Sequence, residues 1–309
     1  MPAQINTQVA DVLAGAVHCA FRDAFSVSWI TAGQTRFPRE IDPMFLIDHL
    51  CDAATWDKLA ACHLPDGYGP EAYLVAQMTM GYGGDHLDAW CDAVAELSRQ
   101  TGHPVVLLPI CHFLDDEAFL AVAKTRLVAR GIECTLIKGR INVKDTAALI
   151  GRSTGYIGSS LHGAVTAVAF AKPLAVLGHS MDGKHEGSLR AVGITGAVTT
   201  EPAGLVSCFA TTAGSDRQAA RIRAQDAARA SFDRLLNALE ADFIPDPAVV
   251  QLAQDTAQIL HRNEMAAMPV VSKAEIKRLL LPLLHRVPVM SRPYRAFRMR
   301  QKLRRATEA

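Results

Sequence analysis

The sequence contains no uninterrupted apolar run of the roughly 18 residues a membrane-spanning helix needs, so an integral membrane protein is not expected. The opening Met-Pro-Ala-Gln-Ile-Asn lacks the basic start and apolar core of a secretory signal. Cysteines are few and unpaired in pattern: seven, an odd number, stand at Cys19, Cys51, Cys62, Cys91, Cys111, Cys134 and Cys208. They make no disulfide framework. With no C-x-x-C pair, a structural zinc site is not expected either. A reducing cytoplasm is the simplest location. Walker, G-x-G-x-x-G and G-x-S-x-G sequences are missing as well, which removes most support for nucleotide-triphosphatase, dinucleotide and serine-hydrolase readings.

What is present is ordinary globular material of two-domain length, with 50% hydrophobic and 20% charged residues. The net charge of +1 conceals an asymmetry. From Lys273 onward eleven Lys and Arg face two acids, Glu275 and Glu308, a local charge of +9; the remainder carries −8. A nucleic-acid partner is therefore not expected for the body. The tail, with leucines and Tyr294, Phe297 and Met299 among its arginines, reads either as a peripheral contact with an anionic membrane face or as a solvated extension.

Short apolar runs alternate with helical patterns through the middle of the chain. Strands are expected at 73–80, 104–109, 134–137, 156–158 and 174–177. Helices are expected at 85–101 (begun by Asp85), from a cap at Asp115 and Asp116 to Arg130 with Gly131 closing, at 144–150, from His162, and at 185–192. This alternation calls for βαβ units and a parallel sheet covered on both faces. Residues 9–32 read as helical, and Ile41 to Leu46 as a strand end turning into a loop. Residues 215–242 and 247–267 read as Ala-rich helices.

Three cationic or titratable residues stand out. Arg22-Asp23-Ala-Phe-Ser26 reads either as a surface ion pair or as a guanidinium, steadied by Asp23, that forks onto a phosphate or carboxylate. His162 opens a helix after the turn Gly158-Ser-Ser160-Leu, with Gly163 permitting close approach; it is a structural histidine or an acid–base group. Free N–H groups at that helix start would favour an anion. Lys184, after Gly183, is a solvated lysine or an anion clamp. A metal site from His179, Asp182 and His185 has poor spacing. Parallel strands would put His162 and Lys184 at one end of the sheet, where α/β ligands bind.

In order, Arg22-Asp23-Ala-Phe-Ser26, Asp42-Pro43-Met-Phe45, Gly158-Ser-Ser-Leu-His162-Gly163, Lys172-Pro173 and Lys184 resemble the motifs of the polysaccharide pyruvyl transferase family over roughly residues 10–240. The resemblance implies an α/β fold: a parallel Rossmann-like sheet flanked by helices, the C-terminal half of a GT-B-like architecture, followed by a helical basic tail. It divides the chain into 1–65, a remnant of the N-terminal Rossmann-like domain; 66–245, the C-terminal Rossmann-like domain; and 246–309, the basic extension. Most of the family's N-terminal domain is expected to be absent.

The implied activity moves pyruvate from phosphoenolpyruvate onto two hydroxyls of a surface-polysaccharide sugar, or of a lipid-linked precursor, as a ketal. His162 and Arg22 are the implied catalytic residues. Lys184, Ser160, Gly163, Asp23 and Ser26 are the implied substrate contacts. No metal or cofactor is required beyond phosphoenolpyruvate as donor. Ser160 departs from the family, which usually has Arg before Leu-His-Gly, so one anion contact would be missing. Two other readings stand beside this one: a GT-B-type glycosyltransferase, although no E-x(7)-E pattern is evident, and a non-catalytic component of an envelope-polysaccharide assembly system.

Overall fold

Apolar runs too short for helices become strands buried on both faces. The computed structural model describes residues 13, 18–22, 27, 38–181, 183–240 and 251, apart from the side chain of residue 113. In chain order the main elements are a 3-10 helix (Pro43–Leu50), α1 (Ala53–Ala61), β1 (Leu74–Ala76), α2 (Met80–Gly83), α3 (Leu87–Thr101), β2 (Val105–Leu107), α4 (Asp116–Ala129), β3 (Cys134–Leu136), α5 (Val143–Gly151), β4 (Gly155–Gly158), α6 (Leu161–Ala169), β5 (Leu174–Leu177), α7 (Lys184–Arg190), β6 (Val198–Thr199), α8 (Leu205–Ala213) and α9 (Arg217–Glu240). Asp23, Ser26, Asp182, the basic tail and, apart from residue 251, the expected helix at 247–267 lie outside the described residues, as does most of the helical reading of residues 9–32.

The strands form one six-stranded sheet in the order β3-β2-β1-β4-β5-β6, every neighbouring pair parallel. The order reverses between β1 and β4. In a doubly wound sheet that reversal opens a crevice at the carboxyl ends of the two strands. Here it lies above Ala76 and Gly158.

Strand alternation sends Val75, Val106, Tyr156 and Val176 into a core shared with Ile150, Val165, Ala220 and Ala224 of α5, α6 and α9. Helix α3 packs on both α4 and α8, and its Trp90 meets Phe119 of α4 edge to face at 5.7 Å. Covering both faces with helices is what an all-parallel sheet requires.

Two expected helix starts need correction. Asp85 does not cap α3, whose N-cap position is His86 with no side-chain bond. Asp115 sits in the left-handed region at φ 62° and makes no capping bond to α4. The expected strand end at Ile41–Leu46 is instead the start of the 3-10 helix. Asp42 caps it through Met44 N (3.0 Å), and Pro43 follows at the first helical position, where its missing N–H costs nothing.

That 3-10 helix positions the site. It buries Phe45 and Ile47 and packs against α6. Its flanks are tied to the long α9. Arg234 Nε donates to Glu40 (2.6 Å), while Arg221 (2.7 Å) and Gln225 (2.8 Å) donate to Asp48. Asp42 thus lies between two anchored acids.

Candidate active site

The turn from β4 into α6 is built by non-local polar groups. Gln77, just beyond β1, reaches across the crevice with its amide oxygen. That oxygen accepts from Ser159 N (3.0 Å), Ser160 N (2.9 Å) and the Tyr156 hydroxyl (3.1 Å). Its amide nitrogen donates to Asp116 Oδ2 (2.8 Å), which also accepts from Ile110 N and Cys111 N. Asp116 is fully buried. Burial pushes its carboxyl above the ordinary range, against the lowering effect of the Cys111, Gln77 and Ile110 donors. The glycines of the turn have a packing cause. A Cβ at Gly158 would lie 2.2 Å from the Tyr156 hydroxyl oxygen, and one at Gly163 would lie 2.4 Å from it.

These contacts revise the expected anion cradle. Ser159 N and Ser160 N are taken by Gln77, and Gly163 N donates to Ser160 Oγ (3.3 Å). Ser160 is buried and serves as the helix cap, so three donors of the turn hold the protein together. Gly163 is there for close packing on Tyr156.

His162 projects from this turn and is half exposed (54%). Its Nε2 lies 3.5 Å from Asp42 Oδ2 and 3.4 Å from Arg22 Nη1. Arg22 in turn donates to Asp42 Oδ2 at 2.9 Å. Burial alone would raise the Asp42 carboxyl; the hydrogen bonds from His162, Met44 and Arg22 outweigh it and bring it down to about 2. Asp42 therefore stays ionised through the range in which an imidazole titrates. A bare Nε2 can accept from Arg22, and a protonated one can donate to Asp42. The two longer contacts are at the edge of hydrogen bonding, a common state of catalytic pairs before substrate arrives.

Asp42 is the residue the sequence reading left out of the site. Its signal was the Asp-Pro-x-Phe motif, read there only as part of the resemblance. The carboxylate seen on Arg22 is Asp42.

Lys184 opens α7, exposed, with Gly183 at the N-cap. Its ammonium and the Arg22 guanidinium both act on His185. Burial, then Lys184, then His179 and Arg22 push that imidazole down to about 4, against the bond to Ser159. The His185 Nε2–H donates to the Ser159 carbonyl (3.0 Å). Arg22 and His162 meet beyond the end of β4, and Lys184 opens the helix that follows β5, with His185 buried next to it in sequence. His179 stacks on Tyr82 with ring centres 3.6 Å apart. Among the described residues no three His, Cys, Asp or Glu side chains gather as metal ligands.

Six parallel strands whose order reverses between β1 and β4 define a Rossmann-like α/β fold. In fold the chain is similar to a glycosyltransferase from Rickettsia africae ESF-5, at 10% identity and a TM-score of 0.50, over 78% of this chain and 69% of that one. It also aligns with UDP-GlcNAc 2-epimerase from Neisseria meningitidis bound to UDP-GlcNAc (11% identity, TM-score 0.45, 71% of this chain and 61% of that one). A third is the N-terminal domain of Candida albicans trehalose-6-phosphate phosphatase (11%, 0.42, 67% of this chain and 49% of that one). The chain spans about half to two-thirds of the length of these proteins. No curated protein matches it.

The family is shown by sequence. The polysaccharide pyruvyl transferase family model matches residues 3–181, more than half of the chain, and the chain belongs to that family. Among the described residues no helix is long and apolar enough to cross a membrane.

Proposed function

We propose that this protein transfers pyruvate from phosphoenolpyruvate to two hydroxyls of a sugar in a surface polysaccharide or its precursor. The observation that carries the reading is the convergence of Arg22 and His162 on the ionised Asp42, at the crevice where the strand order reverses. Arg22 and Lys184 hold the donor's phosphate and carboxylate as charge-assisted partners. Asp42 keeps Arg22 in place and stabilises His162 when it carries a proton.

His162 is the acid that protonates the methylene carbon of the enol phosphate. The C=C electron pair forms the new C–H bond, and positive charge develops at the adjacent carbon. One sugar hydroxyl attacks that carbon and returns its proton to His162. The C–O bond to phosphate then breaks, phosphate leaves with the electron pair, and the second hydroxyl attacks. Its proton departs with phosphate. The products are the ketal and inorganic phosphate, so every atom of donor and acceptor is accounted for.

The test is phosphate release from phosphoenolpyruvate on incubation with glycan acceptors, with mass spectrometry of the product. Wild type should form the ketal, and His162→Gln should be slower by about a hundredfold. Equal rates in the two proteins would remove His162 from the chemistry. Turnover of nucleotide sugars without phosphoenolpyruvate consumption would favour glycosyl transfer instead.

A further inference from the structure

Beside His162, on the side of α5, lies a cavity of about 270 Å³ lined mainly by Met44, Ile110, Ile141, Val143, Thr146 and Ile150. We infer that it is an apolar subsite that takes an alkyl or aryl substituent of the acceptor sugar, the part attached to the ring that the hydroxyls do not cover. This rests on the pyruvyl-transfer reading above and adds the acceptor class to it.

Its walls set the ligand chemistry. Most lining side chains are aliphatic. The two hydroxyls already donate along their own helices, Thr146 to Asn142 O (3.0 Å) and Thr166 to His162 O (2.7 Å). The Gly163 and Ile110 N–H groups are held by Ser160 and Asp116. A hydroxyl-rich sugar ring placed there would find few free partners on these walls for its polar groups. Neither Arg22 nor Lys184 lines the cavity, so it offers no cation to the phosphate or carboxylate of the donor. The methyl formed from phosphoenolpyruvate is far smaller than the space. What remains is an apolar group joined to a molecule whose reacting hydroxyls sit at His162. Val143, a lining residue, is 62% exposed, so the cavity has an apolar edge facing solvent where such a group can enter.

The probes are n-octyl β-D-glucopyranoside, below its micelle concentration, and methyl β-D-glucopyranoside, titrated into the full-length protein by calorimetry and by NMR. The octyl compound should bind at least about tenfold more tightly, the effect of burying roughly two methylenes. Val143→Asp, at an exposed position, and Thr146→Phe, which fills the space, should each abolish that advantage while circular dichroism shows a folded protein. Equal affinity for the two glucosides, or an octyl advantage that survives in either folded variant, overturns the assignment. Phosphate release is measured separately. A Val143-dependent octyl advantage without phosphate release sinks the pyruvyl-transfer reading and leaves the cavity's chemistry standing. Phosphate release without an octyl advantage does the reverse.

Discussion

Asp42 Oδ2 lies 3.5 Å from His162 Nε2 and accepts from Arg22 at 2.9 Å, so one buried carboxylate serves two side chains drawn from distant parts of the sequence. Asp42→Asn keeps the Met44 cap but removes the charge. We expect kcat for phosphate release to fall about a hundredfold, with Arg22 less firmly placed. The folded pKa is depressed from 3.8 to about 2, so this stabilisation is present above pH 3.8 and is lost as the pH falls through about 2. At neutral pH the variant should lose about 2 kcal/mol relative to wild type. Urea titrations at pH 7 and pH 2 check this; a difference that stays constant between them would show that the charge is not the cause.

Gln77 joins β1 to the turn that carries His162. Gln77→Met takes from Asp116 one of three donors, leaves Ser160 N–H only the longer bond to the Tyr156 hydroxyl (3.3 Å), and leaves Ser159 N–H without its acceptor. Weakening these buried bonds should cost about 2 kcal/mol, read as a lower denaturation midpoint. Because the turn sets the His162 position, kcat should fall more than KM for phosphoenolpyruvate rises. A variant of wild-type stability would mean that water replaces the amide without loss.

His185 supplies a pH signature separate from that of Asp42. Its folded pKa is lowered from 6.5 to about 4, so between these values the unfolded chain binds the extra proton and the native state does not. Stability should therefore rise with pH across that window, or fall by about 3 kcal/mol on acidification from pH 6.5 to 4. His185→Gln can still donate to the Ser159 carbonyl and has no such titration. The difference in melting temperature between wild type and variant should shrink or change sign as the pH drops. A pH-independent difference would place the imidazole in a more hydrated setting than its burial indicates.

Local pattern carried much of this fold. The run Leu174–Leu177 is recognisable because its residues are apolar and bounded by Pro173 and Gly178. Gly131, with φ +74°, follows α4 as its sequence suggests. The sequence expectations do not include α1, despite its Asp52 cap, nor α8 and the two-residue β6, which have no side-chain cap or long apolar run to mark them. The 3-10 helix was misread because Asp-Pro ends strands as readily as it starts helices.

The site divides in the same way. His162, Arg22 and Asp42 all stand in motifs, but the role of Asp42, like that of Gln77, depends on what the fold brings to it. Gln77 looks like one polar residue at the end of an apolar run until β4 is set beside β1. Asp116 looks like a helix cap until its carboxylate turns inward to meet that amide.

The clasp between α9 and the segment around Asp42 gives the C-terminal half of the chain a stake in the chemistry. Arg234 grips Glu40 and Gln225 grips Asp48, one on either side of the carboxylate that steadies Arg22 and His162. Shortening the protein ahead of Arg234 would leave every strand in place yet release one of these two grips. A protein trimmed there would keep its sheet and the Gln225–Asp48 bond while Glu40 loses its guanidinium.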